Sequence, residues 1–104
     1  LTNLAQLLRE ASGERNLPAR FGGEEFVVLA PGSGREDSIR AAERIRRTIE
    51  QHDWGPYPIT ASIGAATAGP GSTETSLLYT ADLALYASKS EGRNRTTHAD
   101  DSAG

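Results

Sequence analysis

The chain has 104 residues, 11 of them basic and 14 acidic, with 37% apolar residues and no cysteine. That length suits a single domain, and the missing thiols exclude disulfides and thiolate metal sites. A net charge of -3 argues against a general electrostatic grip on nucleic acid or an anionic membrane, so an anionic ligand would have to meet a local basic cluster.

Leu1, Leu4, Ala5 and Leu8 fall at helical spacing and predict a first helix ending near Ser12-Gly13. It has no clear N-cap, and the chain opens on Leu rather than Met, so the expectation is a piece of a longer polypeptide. Residues 14–18 read as a linker, with Pro18 favouring an extended residue before it. A hairpin follows over about Ala19 to Ala30, with Gly22-Gly23 as its turn, because adjacent left-handed positions suit glycine best. Pro31-Gly32 closes it. Ser33-Gly34-Arg35-Glu36 reads as a capping box, with Ser33 as N-cap. Ile39, Ala42, Ile45 and Ile49 form the apolar stripe of the next helix. Arg40, Glu43, Arg44, Arg46, Arg47 and Glu50 read as its solvated face.

Trp54-Gly55-Pro56 breaks that helix. A strand is expected from Pro58 to about Thr67, where Ile59, Ala61 and Ile63 alternate with Thr60, Ser62 and Gly64. After the turn Gly69-Pro70-Gly71-Ser72, a third helix is expected from about Thr73 to Glu91. Leu77, Leu78, Ala81, Ala84 and Leu85 face inward, and Gly92 stops it. Thr96 to about Ala99 reads as a last short strand, and residues 100–104 as a frayed polar tail. His52 and His98 are expected in loop or terminal positions, far apart, which gives no zinc site. No apolar run approaches the ~20 residues needed to cross a bilayer, and no signal peptide is visible. The element order predicts an α+β fold, helices covering a mixed sheet.

Two segments carry chemistry. In Gly22-Gly23-Glu24-Glu25-Phe26, two carboxylates sit at or just after a tight turn. Rigid backbone there would present oxygen ligands to a hard divalent cation, which could polarise phosphate and activate a hydroxyl. In Tyr86-Ala87-Ser88-Lys89-Ser90-Glu91-Gly92-Arg93-Asn94, Lys89 and Arg93 lie four apart at a helix end. If helical geometry persists through Gly92, both cations project from one side toward a polyphosphate. The alternative is that they complement the negative end of the helix dipole.

Taken together, these segments resemble the GGDEF domain, the diguanylate cyclase family. Arg20-Phe21-Gly22-Gly23-Glu24-Glu25-Phe26 matches its signature in the Glu variant. Ala41 to Arg46, Thr60 to Gly64, Ala81 to Lys89 and Gly92-Arg93-Asn94 match the elements after it, over about residues 1–95. The resemblance implies a palm-like sheet, like that of nucleotide cyclases and polymerases, with residues 1–99 forming part of the domain. It implies condensation of two GTP to cyclic di-GMP with release of pyrophosphate, using Mg²⁺ or Mn²⁺, in a homodimer whose domains meet face to face. An upstream sensory or regulatory domain and a cytoplasmic location follow from it, either free or as part of a membrane-anchored sensor, with no direct membrane contact from this segment.

Carried over, Glu24 ligates the metal and helps deprotonate the 3′-hydroxyl, and Glu25 supports it. Gly22 and Gly23 let the turn approach the phosphates, and Lys89 and Arg93 hold the terminal phosphates. Two departures stand out. The family's first strand, with its Asp-x-Asp-x-Phe-Lys segment, is not in this sequence; nor are the guanine contacts. Its absence implies a gap in the sheet with unpaired edges, and an isolated chain without activity. The inhibitory Arg-x-x-Asp site is replaced by Gly13-Glu14-Arg15-Asn16, which implies no product feedback there. A non-catalytic domain that binds GTP and regulates a neighbour is the alternative reading.

Overall fold

The computed structural model describes residues 16–31 and 34–102, apart from the side chains of Arg20, Phe21 and Ser102. The helix expected over Leu1–Leu8, the Gly13–Arg15 stretch and Ser33 of the expected capping box lie outside the described residues. In chain order the elements are β1 (Leu17–Gly22), β2 (Glu25–Ala30), α1 (Arg35–Gln51), β3 (Ser62–Thr67), α2 (Glu74–Ser90), β4 (Arg95–His98) and α3 (Ala99–Ser102). The strands form one sheet in the order β1-β2-β3-β4. The hairpin pair β1 and β2 is antiparallel, and β2, β3 and β4 run parallel. This is an α+β fold on a mixed four-stranded sheet.

The pattern of buried residues explains the layers. Strand side chains alternate between faces, so Phe26 and Val28 join Ala61, Ile63 and Ala65 under Ala42, Ile45 and Ile49 of α1. Val27, Leu29 and Ala66 take the other face, under Leu77, Ala81 and Leu85 of α2. Burying a side chain such as Phe26 or Ile45 contributes roughly 1.5–3 kcal/mol. Because helices cover both faces, β2 and β3 are almost wholly buried.

At Gly64 the approach is closest. A Cβ built there would lie 2.0 Å from the Ala81 carbonyl oxygen and 2.3 Å from the Leu85 nitrogen. Only a residue without a side chain lets the α2 backbone rest on β3 in this way.

Several expectations are corrected. The anticipated gap in the sheet is closed, because β2 and β3 pair directly from Glu25 opposite Ser62 to Ala30 opposite Thr67. The strand expected from Pro58 begins at Ser62, whose N–H bonds the Glu24 carbonyl. Ile59 precedes it and packs against the α1 cluster as a partly buried residue. On α1 the buried row is Ser38, Ala41, Ala42, Ile45 and Ile49, which leaves Ile39 half-buried. Its N-cap is Gly34, with no side-chain cap bond.

The capping box lies instead on α2, where Thr73 Oγ1 accepts from the Ser76 N–H and Ser76 Oγ accepts from the Thr73 N–H. Leu78 is exposed rather than inward, and Ser88 is buried in its turn of the face. The tail is not frayed at its start: residues 99–102 form a short helix, tied to α1 by Arg35 and Asp101 at 2.6 Å. His98 is buried within β4, where its Nε2 lies 3.2 Å from Thr67 Oγ1.

Candidate functional site

The first residues of the three parallel strands, Glu25, Ser62 and Arg95, are aligned across the sheet. That end also receives the C-terminus of α2. The sequence segments singled out for chemistry therefore meet there.

The hairpin differs in detail from expectation. Gly22 pairs with Glu25, so the two loop residues are Gly23 and Glu24, and the register shifts between Arg20 and Gly22 as in a β-bulge. Neither Gly22 nor Gly23 takes a left-handed φ. The glycine at position 22 matters for space: a Cβ there would meet the Glu25 carboxyl carbon and Oε1 at 3.3 Å. Gly23 has nothing within 4 Å of a built Cβ, so the tip is open on that side.

The two carboxylates then part company. Glu25 starts β2 on the same face as Val27 and Leu29, and its Oε1 lies 3.2 Å from Lys89 Nζ at the end of α2. Glu24, on the loop, is exposed and makes no side-chain hydrogen bond or ion pair with the described residues. Among the described residues, no group of three or more His, Asp or Glu side chains is placed to hold a metal ion. A hard divalent cation takes about six oxygens, several of which can be water. Glu24 can supply one, so the described residues do not make a complete divalent-cation site on their own.

Lys89 and Arg93 do not share a helix face. The helix ends at Ser90 with Glu91 as C-cap. Gly92, Arg93 and Asn94 follow with φ of 128°, 63° and 46°. The Arg93 N–H closes back onto the Ser88 carbonyl at 2.9 Å, a Schellman-type stop in which glycine takes the left-handed position. The Arg93 side chain is exposed and has no partner among the described residues. Lys89 is engaged with Glu25, and it is also the one basic residue in the last turn of α2. The end of α2 and the turn after it thus carry Lys89, held by Glu25 of the signature hairpin, and Arg93, without a partner among the described residues.

Supporting residues are those that sequence reasoning missed. Ser88 Oγ donates to the Ile63 carbonyl at 2.8 Å and lies 2.8 Å from Thr97 Oγ1, which stitches the end of α2 to β3 and β4. Arg46, expected on a solvated face, is largely buried and binds Glu43 through two bonds of 2.8 Å. That bidentate bond holds the Glu43 carboxyl below its ordinary pKa and raises that of Arg46, against the opposing cost of burial. Arg46 Nη1 also donates to Asn94 Oδ1 at 3.0 Å, across 48 residues of sequence. A separation of that size leaves no local sequence signal.

Comparison with known proteins covers the same elements. The family model described as "Diguanylate cyclase, GGDEF domain" matches residues 1–95. The response regulator PleD of Caulobacter vibrioides is 45% identical over 96 residues, 84% of this chain and 21% of that protein. Diguanylate cyclase A of Treponema denticola is 33% identical over 102 residues, 93% of this chain and 28% of that protein. Among solved structures, the GGDEF domain of DgcB from Caulobacter crescentus in complex with c-di-GMP superimposes with a TM-score of 0.74 at 31% identity. That alignment covers 93% of this chain and 61% of the other. The chain thus spans 21% and 28% of the length of these two curated relatives. No described helix is long and apolar enough to cross a membrane.

Proposed function

The chain belongs to the GGDEF domain family of diguanylate cyclases, and on that premise we propose that it forms the nucleotide-handling part of a cyclase domain. That domain condenses two GTP to cyclic di-GMP and releases two pyrophosphates. One observation carries this reading: an exposed carboxylate without a partner among the described residues, Glu24, stands on a glycine turn at the end of the sheet where α2 delivers Lys89 and the following turn delivers Arg93. Glu24 is assigned the catalytic and metal-binding carboxylate and Glu25 its support. Gly22 and Gly23 give the phosphates access, and Lys89 and Arg93 bind them.

The family generally uses a divalent cation, Mg²⁺ or Mn²⁺, to polarise phosphate. Glu24 is the signature carboxylate free to meet it, and the remaining oxygen donors must come from beyond the described residues. Condensing two nucleotides calls for two such domains face to face, so the active species is a homodimer under an upstream regulatory domain. The location that fits these substrates is the cytoplasm.

The second reading, a domain that binds GTP and regulates a neighbour without catalysis, draws on the Glu25–Lys89 ion pair at 3.2 Å. That pair engages one carboxylate and one cation of the signature end with each other. The same experiment separates the two readings. Full-length protein supplied with GTP and Mg²⁺ is expected to yield cyclic di-GMP by chromatography. Glu24→Gln is expected to lower the rate by at least the ~10–100-fold that even outer-shell changes cost metal sites, with GTP still bound and the melting temperature unchanged. The isolated 104-residue chain is expected to make none. GTP binding without product in the full-length protein would establish the regulatory reading, and full turnover by Glu24→Gln would remove Glu24 from its role.

A further inference from the structure

The turn that follows α2 is unusual in its backbone. Arg93 and Asn94 are the two non-glycine residues of positive φ among the described residues, at 63° and 46°, directly after Gly92 at 128°. Asparagine tolerates this region, but a long side chain such as arginine rarely occupies it, and it persists only where the surroundings impose it. The surroundings here are specific. Both ends of the Asn94 amide are used: Oδ1 accepts from Arg46 Nη1 at 3.0 Å, and Nδ2 donates to Glu50 Oε2 at 2.7 Å. Arg46 is itself fixed, with a side chain only 16% exposed, by its bidentate bond to Glu43 and its approach to Glu50 at 3.5 Å. Four side chains from α1 and the turn thus close one network around Asn94.

Arg93 immediately precedes this arrangement in the chain. Its N–H is bound to Ser88 and its carbonyl accepts from Arg95 Nε at 3.3 Å. Its guanidinium makes no hydrogen bond or ion pair with a described side chain, so the backbone turn is the constraint on its direction. Without a hold on Asn94, the pair would relax toward negative φ and carry the guanidinium elsewhere.

We propose that Asn94, gripped by Arg46 and Glu50 of α1, is a positioning residue that keeps Arg93 in its left-handed turn and aims it at the nucleotide polyphosphate. This rests on the assignment of Arg93 to phosphate binding. It makes α1, which touches no substrate in that assignment, a determinant of affinity for the triphosphate.

The test is a double-mutant cycle in the full-length protein. Binding of 3′-deoxy-GTP, which has no 3′-hydroxyl to condense, and of guanosine is measured by calorimetry, with a melting curve for each variant. Arg93→Ala is expected to weaken 3′-deoxy-GTP by about tenfold to a hundredfold, the loss of one charge-assisted bond, and to leave guanosine unchanged. Asn94→Gly keeps the backbone conformation accessible and removes the grip. It is expected to weaken the triphosphate about threefold or more, again sparing guanosine. Arg46→Gln reaches the same grip from α1 and is expected to repeat the Asn94→Gly result.

Non-additivity is the decisive sign: Arg93→Ala with Asn94→Gly together should bind no worse than Arg93→Ala alone. Intact triphosphate affinity in Asn94→Gly, additive losses, or an equal loss for guanosine would overturn the positioning role and leave the phosphate assignment standing. Unchanged affinity in Arg93→Ala would overturn the phosphate assignment, and the positioning role with it.

Discussion

Where β2, β3 and β4 begin, charged groups lie exposed and the backbone bends through three consecutive left-handed residues, Gly92, Arg93 and Asn94. Where the same strands finish, the polar groups are quiet. His98 is buried between Thr67 and the Asp100 N–H, and Thr73 and Ser76 cap α2 reciprocally. The first end keeps Glu24 and Arg93 without partners among the described residues, and the second satisfies its hydrogen-bonding groups locally. Backbone strain costs stability, and a small domain carries it where it serves a ligand. The two ends should therefore respond differently to substitution: the first through ligand affinity, the second through stability.

Gly64 lies between them and should break both at once. A side chain there meets α2 backbone at 2.0 and 2.3 Å, and backbone cannot swing aside as a flexible side chain can. Overpacking of a well-filled core costs about 1–3 kcal/mol and occasionally more. Gly64→Val is expected at or beyond the top of that range, a large part of a marginal total stability. A urea melt close to that of wild type would show that α2 does not rest on β3 as described.

The two ends also differed in how far the sequence revealed them. The signature turn, Lys89 and Arg93 were legible because glycines, acids and cations cluster within a few residues, and the resemblance to the family rests on those clusters. The stripe of α1 was legible from periodicity, though Ser38 takes the place of Ile39 on the buried row, whereas the strand expected from Pro58 was legible only from Ser62 onward, with Ile59 lying ahead of it. The opposite end was less legible. The last short strand around His98 was legible, but the burial of His98, paired with Ala65, was not, because the sequence reads it as a loop or terminal residue. The sequence points to Ser33 for the capping box, because Glu36 stands three residues on, whereas Thr73 pairs with a serine rather than the usual Glu or Gln. The Arg46–Asn94 bond spans 48 residues, and only the fold makes those two residues neighbours. The parallel pairing of β2 with β3 was hidden for the same reason.

Lys89→Ala sharpens the contrast from the signature end. The cation lies 3.2 Å from the Glu25 carboxylate, and the proposed function assigns it to phosphate. Losing it should weaken GTP by about tenfold to a hundredfold, the equivalent of roughly 1.5–3 kcal/mol, and spare guanosine. The melting temperature should change little, because partly exposed ion pairs and helix-end cations contribute well under that amount. A lowered melting temperature with unaltered GTP affinity would return Lys89 to a structural role. High salt should narrow the difference between wild type and variant if the site is open to solvent.

Thr73→Ala is the reciprocal test at the other end. It removes the acceptor of the Ser76 N–H and opens the capping box. The expected loss is about 1 kcal/mol of stability, with GTP affinity at the far end unchanged. A matching loss in GTP affinity would mean that the two ends are coupled through α2 and are not independent.

The smallest effect, confined to acid conditions, concerns His98. The Asp100 N–H donates to Nδ1 at 3.1 Å, so that nitrogen carries no proton, and Nε2 is the donor toward Thr67 Oγ1 at 3.2 Å. Burial of the neutral ring lowers its pKa below the ordinary 6.5, helped by the Arg35 charge and opposed by Asp100 and Asp101. The unfolded chain therefore binds a proton on this histidine at higher pH than the folded one. Between 6.5 and the lower folded value the unfolded state holds more protons, and stability falls as the pH falls through that window. Above it the contribution is fully present, and below the folded value no further loss comes from this group. Glu43, lowered by its bond to Arg46, adds a second loss only at more acid pH, as the carboxylate is protonated. His98→Gln keeps a neutral polar side chain at every pH, so its stability profile should be flatter than that of wild type just below 6.5 and parallel to it at neutral pH. Urea melts at closely spaced pH values would reveal the difference. Parallel profiles throughout, or a wild type that gains stability on acidification through this window, would mean that the imidazole is not held neutral at the quiet end of the sheet.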